Sequence, residues 1–329
     1  DDAQEFGVLV QAMTEMGITA EQQGDLWKVL ASILHLSQVQ FASDDNDKAC
    51  IPDDSLVGVA CGLLGISKAA LLPCFLEKSK TKIMTRLASK KEAESLRDAF
   101  TKALYVSLFD AMVEIVNVAI KPAVDTSNAA YIGVLDIFGF ENFKKNSFEQ
   151  LCINFANETL QNHYNKYTFL NDEEECKAEG ITFPPIQFPD NKPCLEMFGK
   201  PKAGIFPLLD EECNFASGTT GRYTSNVWEN WTAKNEYFIR PKSTVTDTFG
   251  IRHYAADVTY NTDEWLEKNA DSLKDEAKAC IQASGSPFIS TLLDKTETQA
   301  ADGQRKKQVT VASRFRTQLD SLRMELEST

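Results

Sequence analysis

Apolar residues recur at helical spacing along most of the chain and at strand spacing in only a few short runs. Phe6, Val10 and Met13 share one helical face, and Leu26, Val29, Leu30 and Ile33 share another. Residues Asp2 to Phe41 therefore predict two helices broken at Gly17, the second opened by a capping box of Thr19 with Gln22. An acidic loop follows to Pro52, then two short helices over Leu56 to Leu64 and Lys68 to Phe75. Arg97 to Ile120 predicts a long amphipathic helix lined by Phe100, Leu104, Leu108, Met112, Ile115 and Ala119. The run Tyr131-Ile132-Gly133-Val134-Leu135 is too short for a helix and reads, through Ile137, as a fully buried strand that needs sheet neighbours.

Beyond it, Phe148, Leu151, Cys152 and Phe155, continued by Leu160, His163, Tyr164 and Tyr167, predict one unbroken helix. Ser147 with Gln150 opens it, and Gly180 closes it with Lys177 in the last turn. At 1.5 Å per residue it would span roughly 50 Å. Ile181 to Pro193 carries four prolines and reads as a stiff exposed turn. Lys192 to Phe215 predicts two short helices around Lys200-Pro201-Lys202-Ala203-Gly204, and Ser217 to Lys242 a polar, Trp-bearing stretch with a surface loop. Phe249 to Tyr254 and Asp257 to Tyr260 alternate as a hairpin, and Val309 to Glu327 is amphipathic through Val311, Phe315, Leu319, Leu322 and Leu326.

Composition narrows the class. With 43% hydrophobic and 25% charged residues over 329 positions, the chain is that of a soluble globular protein of one large or two ordinary domains. Its net charge of -14 argues against nonspecific nucleic-acid binding. The longest apolar stretches, such as Leu56 to Ile66, are too short to span a bilayer, and Asp1-Asp2 opens no signal peptide. Eight cysteines without paired spacing predict reduced core thiols in a cytosolic protein. His35, His163 and His253 stand alone in the sequence, which argues against a histidine-based zinc site.

The candidate chemistry centres on Asp136, at the end of the apolar run, with Gly139 three residues on and then Glu141. Nucleotide-hydrolysing folds place a magnesium-holding acid at such a strand end, and a glycine lets backbone approach a phosphate closely. The same pattern fits an ordinary strand, loop and core helix. Likewise the basic residues Lys78, Lys80, Lys82, Arg86, Lys90 and Lys91 fit either a solvated loop or a binding loop.

Asp136-Ile137-Phe138-Gly139-Phe140-Glu141, then Asn142-Phe143, Ser147-Phe148-Glu149-Gln150-Leu151-Cys152-Ile153-Asn154 and Asn157-Glu158, closely resembles switch II and the relay helix of the myosin motor domain. Similar wording runs through Asp2-Ala3-Gln4-Glu5-Phe6, Ile33-Leu34-His35-Leu36, Leu208-Leu209-Asp210-Glu211-Glu212-Cys213 and Trp265-Leu266-Glu267-Lys268-Asn269. The resemblance implies a mainly α fold with some β, part of a P-loop NTPase-type α/β motor head: a central strand with switch II, a long relay helix and helical actin-binding subdomains. It divides the chain into an upper actin-binding portion (1–130), the switch II strand, relay helix and relay loop (131–191), a lower actin-binding subdomain (192–293), a basic surface loop (294–308) and the start of the next head segment (309–329).

By the same resemblance, Asp136 would hold the magnesium shell through water, the Gly139 N–H would bind the γ-phosphate, and Glu141 would pair with a switch I arginine and place the attacking water. Actin contacts would fall at Lys90, Lys91, Pro201, Lys202, Ala203, Ile205, Asn214, Phe215, Arg305, Lys306 and Lys307. Phe148, Asn157 and Phe183 would belong to the relay. The implied cofactors are ATP and Mg2+, both also needing the P-loop and switch I; no G-x-x-x-x-G-K-[ST] occurs in the 329 residues. The implied partners are actin filaments, the converter and rest of the head, and light chains or calmodulin on a neck, in the cytoplasm at the actin cytoskeleton. Two functions follow as expectations: part of an actin-activated motor ATPase, or a non-hydrolysing, filament-binding scaffold. They differ in whether the upstream P-loop is intact.

Overall fold

The computed structural model describes residues 1–81, 84–124, 130, 132–181, 190–215, 217–241, 247–270, 273–295 and 310–328. Helix α1 (Asp2–Glu15) ends before Gly17, whose φ of +80° suits glycine, and α2 (Ala20–Ser37) starts on the predicted capping box. In that box Thr19 N–H donates to Gln22 Oε1 (2.9 Å) and Gln22 N–H to Thr19 Oγ1 (3.3 Å). Two-residue strands β1 (Ala42–Ser43) and β2 (Ala49–Cys50) pair across the acidic loop. Helices α3 (Ser55–Leu64) and α4 (Lys68–Leu76) follow, then an antiparallel hairpin of β3 (Glu77–Thr81) and β4 (Met84–Leu87), then α5 (Lys90–Ala119).

The second stretch holds α6 (Phe148–Asn165), a π-helical turn (Lys166–Asn171) and α7 (Asp172–Ala178). After it come α8 (Lys192–Gly199), α9 (Ile205–Cys213) and α10 (Thr220–Trp231). An antiparallel sheet of β5 (Phe238–Ile239), β6 (Thr248–Arg252) and β7 (Asp257–Asn261) has the order β5-β6-β7. Short α11 (Trp265–Asn269), α12 (Asp275–Gln282) and α13 (Pro287–Thr291) lead to α14 (Val311–Ser328). The chain is thus mainly helical with small sheets.

These elements form two compact units, Asp1–Ile132 with Ser272–Lys306, and Gly133–Asp271 with Lys307–Thr329. In the first, Leu26, Val29 and Leu36 of α2 share a core with Val57, Leu64, Phe75, Phe100 and Leu104. The rings of Phe75 and Phe100 meet edge-on at 5.5 Å. Residues 273–295, read in the sequence with the later subdomain, pack here instead: Ser284 Oγ donates to Leu64 O at 2.6 Å, and Cys280 and Ile281 join this core. In the second unit, Phe148 and Leu151 of α6 pack with Phe198, Phe206, Tyr223, Phe249, Tyr260 and Trp265. There α14 is pinned where Ala312 N–H donates to Asn269 Oδ1 at 2.8 Å.

Several expectations are corrected. Residues 132–137 form no strand, and Ile132 and Val134 are 95% and 92% exposed. An extended run is buried only between neighbouring strands, and no described residue pairs with this one. The helix after Phe148 is not unbroken: the π turn inserts a residue into the ladder, which a 3.6-residue template cannot register. Tyr164, in α6 before the π turn, and Tyr167, within it, stand 59% and 65% exposed. Its end is as expected, with Gly180 at φ +73° and Ile181 N–H donating to Cys176 O at 2.8 Å.

Helix α5 begins at Lys90 rather than Arg97, so Lys90 and Lys91 sit on its first turn and not in a loop. Ser89 with Glu92 is a capping box; Ser89 N–H donates to Glu92 Oε2 at 3.0 Å, and Arg86 grips the same carboxylate at 2.8 and 2.5 Å. The polar, Trp-bearing stretch also contains α10, not anticipated from the sequence and started by Thr219 Oγ1 accepting from Arg222 N–H at 3.2 Å.

Glycine positions give a test of packing. A Cβ on Gly204 would lie 2.7 Å from both Lys200 N and Phe198 O, whereas one on Gly62, inside α3, would meet nothing within 4 Å. Gly204→Ala is expected to destabilise by roughly 1–3 kcal/mol through forced backbone shifts. Gly62→Ala is expected to stabilise by about 0.5–1 kcal/mol through helix propensity. Urea unfolding midpoints check both, and equal midpoints for the two variants would contradict this packing.

Candidate functional site

The segment from Asp136 to Glu141 reaches α6 through side-chain amides. Asn154, fully buried on α6, accepts from Glu141 N–H at 2.9 Å and donates to Glu141 O at 2.8 Å. One turn on, Asn157 donates to Phe138 O at 2.9 Å. The Glu141 carboxylate accepts from Gln150 Nε2 at 3.2 Å, and Gln150 Oε1 caps the helix by accepting from Ser147 N–H at 2.9 Å. Asn146 folds the next residues back, accepting from Phe143 N–H at 2.7 Å and donating to Thr259 O of β7 at 3.1 Å. Phe148 opens α6 buried at 4% exposure, edge-on to Trp265.

The two remaining candidates are left open. Asp136 is exposed, and no described residue bonds its carboxylate. Gly139 is exposed, and a Cβ there would meet nothing within 4 Å. No internal packing therefore demands glycine at 139.

Behind the segment lies a buried polar cluster that the sequence reading missed. Asn154 Nδ2 donates to the Tyr260 hydroxyl at 2.9 Å, and that hydroxyl meets His253 Nε2 at 2.8 Å. His253 Nδ1 stands 3.0 Å from Glu158 Oε2, and Asn191 Nδ2 donates to Glu158 Oε1 at 2.7 Å. Burial pushes the Tyr260 hydroxyl and the Cys194 thiol well up, so both keep their protons. His253 thus does not stand alone. The ligating atoms of Glu158, Cys194 and His253 lie within 4.8 Å of one another, a metal-type donor set. Both Glu158 oxygens and both His253 nitrogens already have protein partners, however, and the set reads as a hydrogen-bonded core. His253 and Tyr260 flank a hairpin that was legible, but nothing in one sequence places Glu158 beneath it.

The other predicted contact residues are scattered. Pro201 and Lys202 are exposed in the tight turn between α8 and α9, and Ala203 is half-buried, its carbonyl accepting from Trp231 Nε1 at 2.8 Å. Lys202 takes φ +64°, and Lys200 lies 5.8 Å over the Trp231 ring. Ile205 is fully buried, because it opens α9 on the core side, so its side chain offers no surface contact. Asn214 and Phe215 are exposed at the end of α9, with the Arg222 guanidinium 4.8 Å over the Phe215 ring. Lys90 and Lys91 are exposed in the first unit. Phe183, Arg305, Lys306 and Lys307 lie outside the described residues.

The family model for the myosin head (motor domain) matches residues 1–329. The chain is 37% identical to unconventional myosin heavy chain 6 of Caenorhabditis elegans, over all of this chain and 16% of that protein. It is 36% identical to Myosin-8 of Arabidopsis thaliana over 100% of this chain and 22% of that protein, and 34% identical to Myosin-I heavy chain of Dictyostelium discoideum over 100% and 14%. The chain belongs to the myosin head (motor domain) family. It spans less than a quarter of the length of each of these relatives.

Cys152 gives a check on burial beside the site. Burial, helped by Glu149, pushes its thiol up to about 12. At pH 8 roughly one part in ten thousand is thiolate, against about a quarter of an ordinary thiol. Alkylation of Cys152 by iodoacetamide, followed by mass spectrometry, is expected to run at least ~100-fold slower than that of a free thiol. The rate should keep rising with pH beyond 10; ordinary reactivity at pH 8 would contradict the burial.

Proposed function

We propose that this chain is part of an actin-based motor that couples ATP hydrolysis to movement, contributing switch II, the relay helix and actin-facing surfaces. The observation that carries the proposal is the anchoring of Phe138 and Glu141 to α6 by Asn157 and Asn154, which ties a phosphate-type loop to a long helix. Membership of the myosin head family over the whole chain supports it.

In this reading Mg2+-bound ATP supplies the transferable phosphoryl group. Asp136 would hold the magnesium shell through water and the Gly139 N–H would meet the γ-phosphate, the metal supplying neutralisation of phosphate charge. The open surroundings of both residues fit those roles. Glu141, its peptide fixed by Asn154, pairs with an arginine from the rest of the head and orients the attacking water. A shift of this segment then moves α6, and through it the relay region with Phe148, Asn157 and Phe183.

Actin filaments are the proposed partner, met at Lys90, Lys91, Pro201, Lys202, Asn214, Phe215 and the basic residues Arg305, Lys306 and Lys307, with the converter and neck light chains as further partners. Exposed charges of this kind raise association rate and salt sensitivity more than affinity. Among the described residues no helix is long and apolar enough to cross a membrane. The proposed setting is the cytoplasmic actin cytoskeleton.

The test is ATP turnover by the full-length protein with and without actin filaments. Turnover is expected to rise with actin, and Glu141→Ala is expected to lower it by at least ~100-fold while ATP still binds. Normal turnover in Glu141→Ala would overturn the role of that residue. Filament binding without any turnover would replace the motor with a scaffold.

A further inference from the structure

The roles proposed above concern residues that would face nucleotide. The buried cluster behind them carries a further assignment, which rests on that reading. Asn154 and Glu158 lie one turn apart on the same face of α6. Both reach across to the hairpin of β6 and β7, Asn154 to the Tyr260 hydroxyl at 2.9 Å and Glu158 to His253 Nδ1 at 3.0 Å. Tyr260 and His253 then join each other at 2.8 Å. The result is a closed ring: helix, asparagine, tyrosine, histidine, glutamate, helix.

One proton arrangement satisfies every member. Asn154 donates to the Tyr260 oxygen, Tyr260 O–H donates to His253 Nε2, and His253 Nδ1–H donates to Glu158. Placing the histidine proton on Nε2 instead would leave the Tyr260 proton without an acceptor. The ring is dry: Asn154, Glu158 and Tyr260 are 0% exposed and His253 5%. In such a site a member cannot leave without stranding its neighbour's polar group.

The hairpin side of the ring also holds the segment that carries Glu141. The Phe140 ring packs edge-on to His253 at 5.4 Å and to Tyr254 at 5.8 Å. Asn261 N–H donates to Asn146 O at 2.9 Å. Glu141 is therefore placed by two bodies, α6 through Asn154 and the hairpin through Phe140 and Asn146, and the ring fixes those bodies to each other.

We propose that Tyr260 and His253 are positioning residues: by locking the hairpin to α6 they set where Glu141 stands. Neither side chain bonds Glu141, so the effect is indirect and separable from packing. Tyr260→Phe keeps the ring contacts with Phe249 and Trp265 and removes only the hydroxyl.

The experiment uses the full-length protein with two variants, Tyr260→Phe and His253→Gln, and two readouts. The first is hydrogen–deuterium exchange of the peptide spanning residues 138–147 without nucleotide. Exchange there is expected to speed up about tenfold in both variants, with peptides of residues 20–37 unchanged. The second is steady-state ATPase: kcat is expected to fall about tenfold with KM for ATP within about twofold, and Tyr260→Phe added to Glu141→Ala should lower kcat no further. Unchanged exchange over 138–147 in correctly folded Tyr260→Phe would overturn the assignment. So would a fall in kcat that adds fully to that of Glu141→Ala. If the wild-type protein shows no turnover, the motor reading fails, and the exchange comparison still decides the positioning role.

Discussion

A single side chain, Asn154, satisfies the peptide of Glu141 from both sides. A carboxamide carries one acceptor and two N–H donors on a single planar group, so its second N–H is still available for Tyr260. An aspartate there could accept but not donate, and a leucine could do neither. Because Asn154 is wholly buried, its own amide cannot turn to water instead. Both termini of the site follow from this constraint. The candidate acid is fixed to the helix that would report its movement, and the helix is fixed to the hairpin behind it.

The two units are held by different physics. The first is an apolar helical core in which α2, α3, α4 and α5 interdigitate, with few buried polar side chains. The second buries Asn146, Asn154, Glu158, Asn191, Glu212, His253 and Asn269 among its aromatic residues. Glu212 illustrates the rule there: at 2% side-chain exposure it receives Arg222 Nε at 2.8 Å and Thr219 N–H at 2.8 Å. Apolar packing tolerates small repacking, whereas a hydrogen-bonded network has discrete partners and few alternative arrangements. In the proposed motor reading, a unit that passes on a displacement would gain from the second kind of interior.

What could be read in the sequence was whatever local chemistry decides. The capping boxes at Thr19 and Ser147, the helix stop at Gly180 and the hairpin through Tyr260 each depend on residues a few positions apart. Ser89-Lys90-Lys91-Glu92 carried the same signal for α5, but the dense positive charge around it favoured a loop. The π turn could not be read, since an inserted residue leaves the apolar pattern almost intact. The link from Glu158 to His253 joins residues 95 apart in sequence, a separation over which a single sequence holds no record of contact. The acids and glycine of the candidate site were legible as a motif, while the amides that hold them were not.

Strength of anchoring varies sharply along six residues, and that variation bears on how the segment would work. Phe138 and Glu141 are tied through their backbones, but Asp136 and Gly139 remain open. A loop anchored everywhere could not answer a ligand, and one anchored nowhere could not transmit the answer. Exposed Ile132, Val134 and Phe138 retain apolar area worth roughly 25 cal/mol for each Å² that becomes covered. In the proposed reading, the ring behind Glu141 would oppose movement of the segment. Asn154, bonded both to Glu141 and to Tyr260, would be the point through which such movement passes.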